Sequence, residues 1–159
     1  MPETFAWSES NGVTPTVNDA ITNLNFGNVD AADLVVNTYP IVAGELSYEK
    51  NIRAKFGGTF TEISNIKLFK SAGAYKTGEV INANCVATYV QPVKTASSRA
   101  VNPIPTEVGS AIAVLAANGD ATIVAPGYTR YVCLQLVTTA STPSGVVNSK
   151  TIELQYDVV

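Results

Sequence analysis

Histidine is absent from the 159 residues, and this gap excludes a great deal of chemistry. Without it there is no Ser-His-Asp or Cys-His catalytic arrangement, no common zinc set and no side chain that titrates unperturbed near neutral pH. Charge is scarce too. Asp, Glu, Lys and Arg together make up 14% of the chain, about half the usual share. The ten basic residues are scattered and the net charge is −3. Nucleic-acid binding needs clustered Lys and Arg, so no nucleic acid is expected as a partner. No apolar run approaches the ~20 residues of a membrane span, so no membrane is expected either. None of the asparagines is followed by X-Ser or X-Thr, which leaves no N-glycosylation acceptor. The opening MPETFAWSESNG has no basic region followed by an apolar core, and we expect cytoplasmic synthesis without export.

Cysteine is nearly absent as well. Cys85 and Cys133 lie in separate apolar runs with no CxxC, so neither a metal nor a redox motif is present. Tyr131 stands two residues before Cys133, the spacing of a late immunoglobulin strand. Parity argues against the bridge that such a strand carries. In an extended strand Val132, Leu134 and Leu136 share one face, while Tyr131, Cys133, Gln135 and Val137 share the other. The apolar triplet is the expected core face, which turns Cys133 away from it. No tryptophan lies between the cysteines to pack on a bridge. We expect two free thiols.

What the chain does have is apolar alternation. Hydrophobic residues reach 46%, and they recur at period two between Gly, Pro and Asn breaks. TFAWSE places Phe5 and Trp7 on one face. SYEKNIRAKFGG places Tyr48, Ile52, Ala54 and Phe56 on one face and Glu49, Asn51, Arg53 and Lys55 on the other, as in a half-exposed strand. LVVNTYPI, FTEISNIKLFKS, NCVATYVQP, YTRYVCLQLVTT and SKTIELQYDVV read as further strands. SAIAVLAANGDATIVAP fits either a short helix closed by Gly119 or a hairpin turning at Asn118-Gly119; the β pattern on both sides favours the hairpin. Residues 10–30 read as an ordered loop with apolar anchors Val13, Val17, Ile21, Leu24 and Phe26. Residues 93–107 read as a Pro-bearing connector, and ASTPSGVVN as the last loop. The expected fold is all-β: one antiparallel β-sandwich over residues 1–159, immunoglobulin-like or jelly-roll.

Candidate chemistry is thin. Asp30 and Asp33 lack the alternate-residue spacing and closing glutamate of a calcium loop. Glu45, Glu49, Glu62 and Glu79 could pair for glycoside hydrolysis, but carboxylates on strand faces are ordinarily just solvated. Gly57-Gly58 lacks the surroundings of a phosphate loop and reads as a bend. Trp7, Tyr39, Tyr75, Tyr89, Tyr128 and Tyr131 could build a sugar-stacking platform, though cross-strand packing is the plainer expectation. We therefore expect no enzyme, no catalytic residue, no metal and no cofactor. Trp7 is the best interface anchor, with Val13 and Val17 beside it in the early loop.

Three stretches carry a resemblance: TFAWSESNG, YPIVAGELSYEKNIRAKFGGTFTEISNIKLFKSAG and APGYTRYVCLQLVTTASTPSGVVNSKTIELQYDVV. Their Ser-Tyr-Glu-Lys, Ile-Ser-Asn-Ile-Lys-Leu, Leu-Gln-Leu and Gln-Tyr-Asp runs resemble small virion proteins of tailed bacteriophages. The resemblance covers most of the chain and implies a structural role, foremost a capsid decoration (cement) protein on the outside of the shell. It implies the major capsid protein and copies of itself, for instance as a trimer, as partners. Loops 10–30 and 93–107 would serve as contact arms. A fibre or baseplate component, or an adhesin-type carbohydrate-binding module, is the alternative.

Overall fold

In the computed structural model, residues 2–145 and 148–159 are described. The strands among them are β1 (Thr4–Asn11), β2 (Thr16–Asp19), β3 (Lys50–Gly57), β4 (Ile63–Ala72), β5 (Glu79–Val86), β6 (Asn102–Pro103), β7 (Ile112–Ala113), β8 (Gly127–Tyr128), β9 (Tyr131–Thr138) and β10 (Thr151–Val158). A 3₁₀ turn at Val108–Ser110 is the only helical element among the described residues. Two antiparallel sheets face each other. The larger has the order β2-β1-β3-β9-β5-β6, with β8 beside β3, and the smaller has the order β10-β4-β7. This is an all-β sandwich.

The core follows the alternation. β3 contributes Ile52, Ala54 and Phe56, β9 contributes Val132, Leu134 and Leu136, and β5 contributes Ile81 and Ala83. The smaller sheet answers with Ile63, Ile66 and Leu68. Each fully buried Leu, Ile or Phe adds roughly 1.5–3 kcal/mol. Phe56 meets Tyr156 of β10 edge-on at 4.9 Å, joining the sheets. β9 is central in the larger sheet, between β3 and β5.

Register explains the thiols. Cys85 lies opposite Val132, and Cys133 lies opposite Asn84. Directly paired residues share a face, so the two cysteines sit on neighbouring strands but on opposite faces of one sheet. Both are free, Cys133 buried and Cys85 half-buried. Trp7 lies opposite Ala54, and Val17 lies opposite Ser10. The same rule puts Trp7 on the inner face and Val17 on the outer one.

Several segments depart from the sequence reading. Leu34–Ile41 is not a strand. The Val35 carbonyl accepts the amides of both Thr38 and Tyr39, at 2.9 and 3.2 Å, which closes the backbone into a turn. The fifth strand begins at Glu79 and ends at Val86, before the Tyr89-Val90 run. At Ala117-Asn118-Gly119 a hairpin turn does form, but only Gly119 adopts positive φ, at 99°. The Gly119 amide donates to the Ala116 carbonyl, and the Ala116 amide to the Asp120 carbonyl. This is a three-residue loop with a left-handed glycine, not a two-residue type I′ turn. Of the expected anchors in residues 10–30, Ile21, Leu24 and Phe26 pack on the core. Val13 and Val17 do not, because β1 and β2 form a hairpin whose turn lifts Val13 off the body. Within ASTPSGVVN, Val146 and Val147 lie outside the described residues.

Candidate interaction surfaces

The outer face of the larger sheet divides into two halves. On one, Glu49, Asn51, Cys133 and Gln135 are as buried as the core, each at 1% exposure or less. The cover is the chain between β5 and β6, which crosses this face and is fastened by polar side chains. The Glu49 carboxylate accepts the Arg99 guanidinium, the Ser97 hydroxyl and the Val93 amide. Arg99 also donates to Asn51 Oδ1 at 3.1 Å, and Asn51 Nδ2 donates to the Val90 carbonyl at 3.1 Å. Gln135 uses both ends of its amide. Nε2 donates to the Ser47 and Thr95 carbonyls, each at 2.9 Å, while Oε1 accepts the Ser97 amide at 3.0 Å.

Polar groups can be buried this deeply only when nearly every donor and acceptor finds a partner. Burial, with the Glu49 carboxylate adding to it, pushes the Cys133 thiol up to about 12. A thiol in that state is inert as a nucleophile at neutral pH. Just past β6, Ile104 enters the core and the Pro105 carbonyl accepts the Lys70 amide at 2.8 Å. Residues 93–107 are thus stitched to the body, and Val93 and Val101 point outward from them.

The other half of this face is only partly covered, with Arg53, Tyr128 and Tyr131 half-buried. Arg53 lies over the ring of Tyr128 at 3.9 Å and over that of Tyr131 at 4.6 Å. Tyr131 in turn meets Tyr89 at 5.7 Å, the ring planes 60° apart. Tyr128 donates to the Asp19 carboxylate at 3.1 Å, and Lys55 pairs with the same carboxylate. The Lys55 ammonium holds the Asp19 carboxyl below its ordinary range. The sequence showed Arg53 and Lys55 only as outward polar positions. Their aromatic neighbours come from β8 and β9, and that register is invisible in a linear pattern.

At the end of the sandwich where β1 stops, hydrogen bonds gather three loops. The Gly12 amide donates to the Asp30 carboxylate at 3.1 and 3.3 Å, and Tyr89 donates its hydroxyl to the Gly12 carbonyl at 2.5 Å. Lys50 Nζ donates to Glu9 Oε1 and to the Ala31 carbonyl, both at 2.7 Å. This ion pair is sealed from water, and burial raises the Glu9 carboxyl despite Lys50 beside it. Burial raises Asp30 too. Asp33 accepts from Asn18 Nδ2 at 2.8 Å. Both aspartates are therefore occupied in holding loops. Valines and a tyrosine project from this frame: Val13 is 79% exposed, and Val35, Val36, Tyr39 and Val42 are exposed as well.

Trp7, Val13 and Val17 do not come together as one patch. Val13 is at the turn tip and Val17 on the outward face of the edge strand, 43% exposed. Trp7 faces inward, edge-on to Phe5 at 5.2 Å. It lines a cleft of about 1050 Å³ bounded by the larger sheet, the loops and the start of β10, with Ile21, Leu24, Ile41 and Ile152. The glutamates are likewise separated by their partners: Glu45 pairs with Lys94, Glu49 with Arg99, and Glu79 with Lys150. Among the described residues no group of three His, Cys, Asp or Glu side chains could hold a metal, and no helix is long and apolar enough to cross a membrane. Comparison with known protein families, with curated proteins and with solved structures returns no match.

Proposed function

We propose that the chain is a structural protein of a tailed-bacteriophage virion, a decoration or cement protein that binds the outer shell. The major capsid protein and further copies of the chain are its partners. The observation that carries this reading is the set of exposed apolar side chains on loops that are themselves held rigid. Val13 stands out from a turn fastened by Asp30 and Tyr89, and Val35, Val36, Tyr39 and Val42 from a loop fastened at Ala31 by Lys50, at Leu34 by Asn25 and at Tyr39 by the Asn28 amide. A free monomer gains nothing by ordering apolar side chains in water, whereas an assembly buries them at a junction. Low charge, 14% of the chain, supports the same use, because desolvating few charges costs little at an interface. The resemblance of the three sequence stretches to virion proteins supplies the kind of assembly.

The carbohydrate-binding alternative wants a flat pair of exposed rings. The Tyr89 and Tyr131 planes are 60° apart, and Arg53 lies over Tyr131, which does not favour it. The test is the position and copy number of the chain in intact particles, by electron microscopy and quantitative mass spectrometry. Hundreds of copies on the shell are expected. About six or fewer copies, at a tail or neck, would overturn the shell assignment, because axial structures follow low-order rotational symmetry.

A further inference from the structure

We infer that Arg53 is a docking point for a carboxylate, an Asp or Glu side chain presented by the shell subunit; this rests on the decoration reading above. The argument starts from hydrogen-bond supply and demand. A guanidinium has five N–H donors and no acceptor. Among the described residues the Arg53 side chain makes no salt bridge, and Nε is buried without a partner. The residue as a whole is only half-buried, so the terminal nitrogens, beyond the buried Nε, are the part of the group that a visitor can reach.

The carboxylate that lies across β1 from Arg53, that of Asp19, is already committed. Asp19 takes Lys55 and the Tyr128 hydroxyl. Lys50, Lys94, Arg99 and Lys150 likewise each have a carboxylate of their own. Arg130 also lacks a partner at Nε, but no aromatic ring lies against it. Among the described residues, Arg53 alone combines a guanidinium that lacks a carboxylate partner with two ring contacts.

Those rings give the cation a function beyond charge. Packing over Tyr128 and Tyr131 removes most of the rotamer freedom that a free arginine would lose on binding. A planar fork held in place suits the two oxygens of a carboxylate, and this geometry is beyond a lysine ammonium. Tyrosine and arginine half-buried together on a rigid sheet face are also the composition of an interface hot spot.

The experiment measures binding of the purified full-length chain to shells assembled without it, for wild type, Arg53→Ala and Arg53→Lys. Circular dichroism and thermal melts first establish that each variant is folded. Arg53→Ala is expected to weaken binding roughly a hundredfold. Arg53→Lys should recover only a minor part of this, because it restores the charge without the fork. A folded Arg53→Ala variant that binds like wild type overturns the inference and leaves the decoration reading intact. Full recovery by Arg53→Lys overturns the fork and reduces the residue to a point charge. Failure of the wild-type chain to bind shells overturns the decoration reading itself.

Discussion

The two halves of the larger sheet's outer face are built from the same kind of sequence and end up in opposite states. Glu49 and Asn51 sit four and two residues before Arg53 on a continuous alternating run, yet both are sealed, and Arg53 is not. The difference comes from the connector between β5 and β6. Over the first half it brings Val93, Thr95, Ser97 and Arg99, and the polar groups there are saturated. Over the second half it brings the ring of Tyr89 but, among the described residues, no carboxylate for Arg53, which is left with aromatic contacts and unused donors. A saturated polar face contributes to folding, whereas an unsaturated and pre-positioned one is suited to binding. Substitutions in the first half should therefore be read in stability, and those in the second half in association.

The largest effect is expected at the covered half. Arg99→Ala leaves the Glu49 carboxylate buried without its cation, and removing one member of a buried pair costs about 3–5 kcal/mol. For a domain of this size that corresponds to a melting temperature lower by roughly 10 °C. Denaturant unfolding would show the loss as a lower midpoint at unchanged slope. A shift under about 1 kcal/mol would mean that water reaches Glu49 and that the cover is loose. Gln135→Ala comes next. It leaves the Thr95 carbonyl and Ser97 amide of the connector, and the Ser47 carbonyl ahead of β3, without their partner, a loss of about 2–3 kcal/mol.

This contrast also marks what the sequence could convey. The inward positions of β3 and β9 were legible because burial by the opposite sheet acts on every second residue and leaves a period of two. Cys133 is assigned to its correct face on the same ground, whereas Trp7 is matched with Phe5 but read as an interface anchor. The cover on Glu49 was not legible. Its partner Arg99 lies 50 residues downstream, and nothing in KTASSRAVNP specifies which face it will cross. The turn at Val35 escapes the linear pattern for a related reason: β-branched residues favour a strand, while the local hydrogen bonds to the Val35 carbonyl decide the conformation. Of the proposed interface, Val13 and Val17 stand exposed and Trp7 is turned inward. Arg53 was overlooked because its distinction, a missing acceptor, exists only in three dimensions.

A pH experiment sharpens the comparison with a third site. Burial raises the folded-state pKa of Glu9 above its ordinary 4.5. The folded protein therefore binds this proton more readily than the unfolded chain, and the contribution to stability is fully present below pH ~4.5 and lost as pH rises through the folded value. Relative to Glu9→Gln, the wild type should gain stability as the pH is lowered from 7 toward 4.5. The opposite slope in paired melts would mean that Lys50 outweighs burial and holds the carboxyl down. The thiols offer a companion measurement. With Cys85 and Cys133 on opposite sheet faces, non-reducing mass spectrometry should find both free, and the buried Cys133 should resist alkylation until the protein unfolds. A Cys85–Cys133 bridge in the native protein would contradict the register itself.

The smallest effect on folding is expected at the residue that matters most for docking. Arg53→Ala removes cation–π contacts worth about 0.5–1 kcal/mol each at exposed sites. It also removes a buried Nε that has no partner, and relief of that penalty offsets part of the loss. The net change in unfolding free energy should stay within about 1 kcal/mol of zero, less than a third of the Arg99→Ala effect. Equal destabilisation by the two arginine substitutions would erase the distinction between the halves, because Arg53 would then be a structural residue whose acceptor has been missed. A near-neutral Arg53→Ala beside a crippling Arg99→Ala means that the sheet holds itself together through one arginine and keeps the other free for a partner.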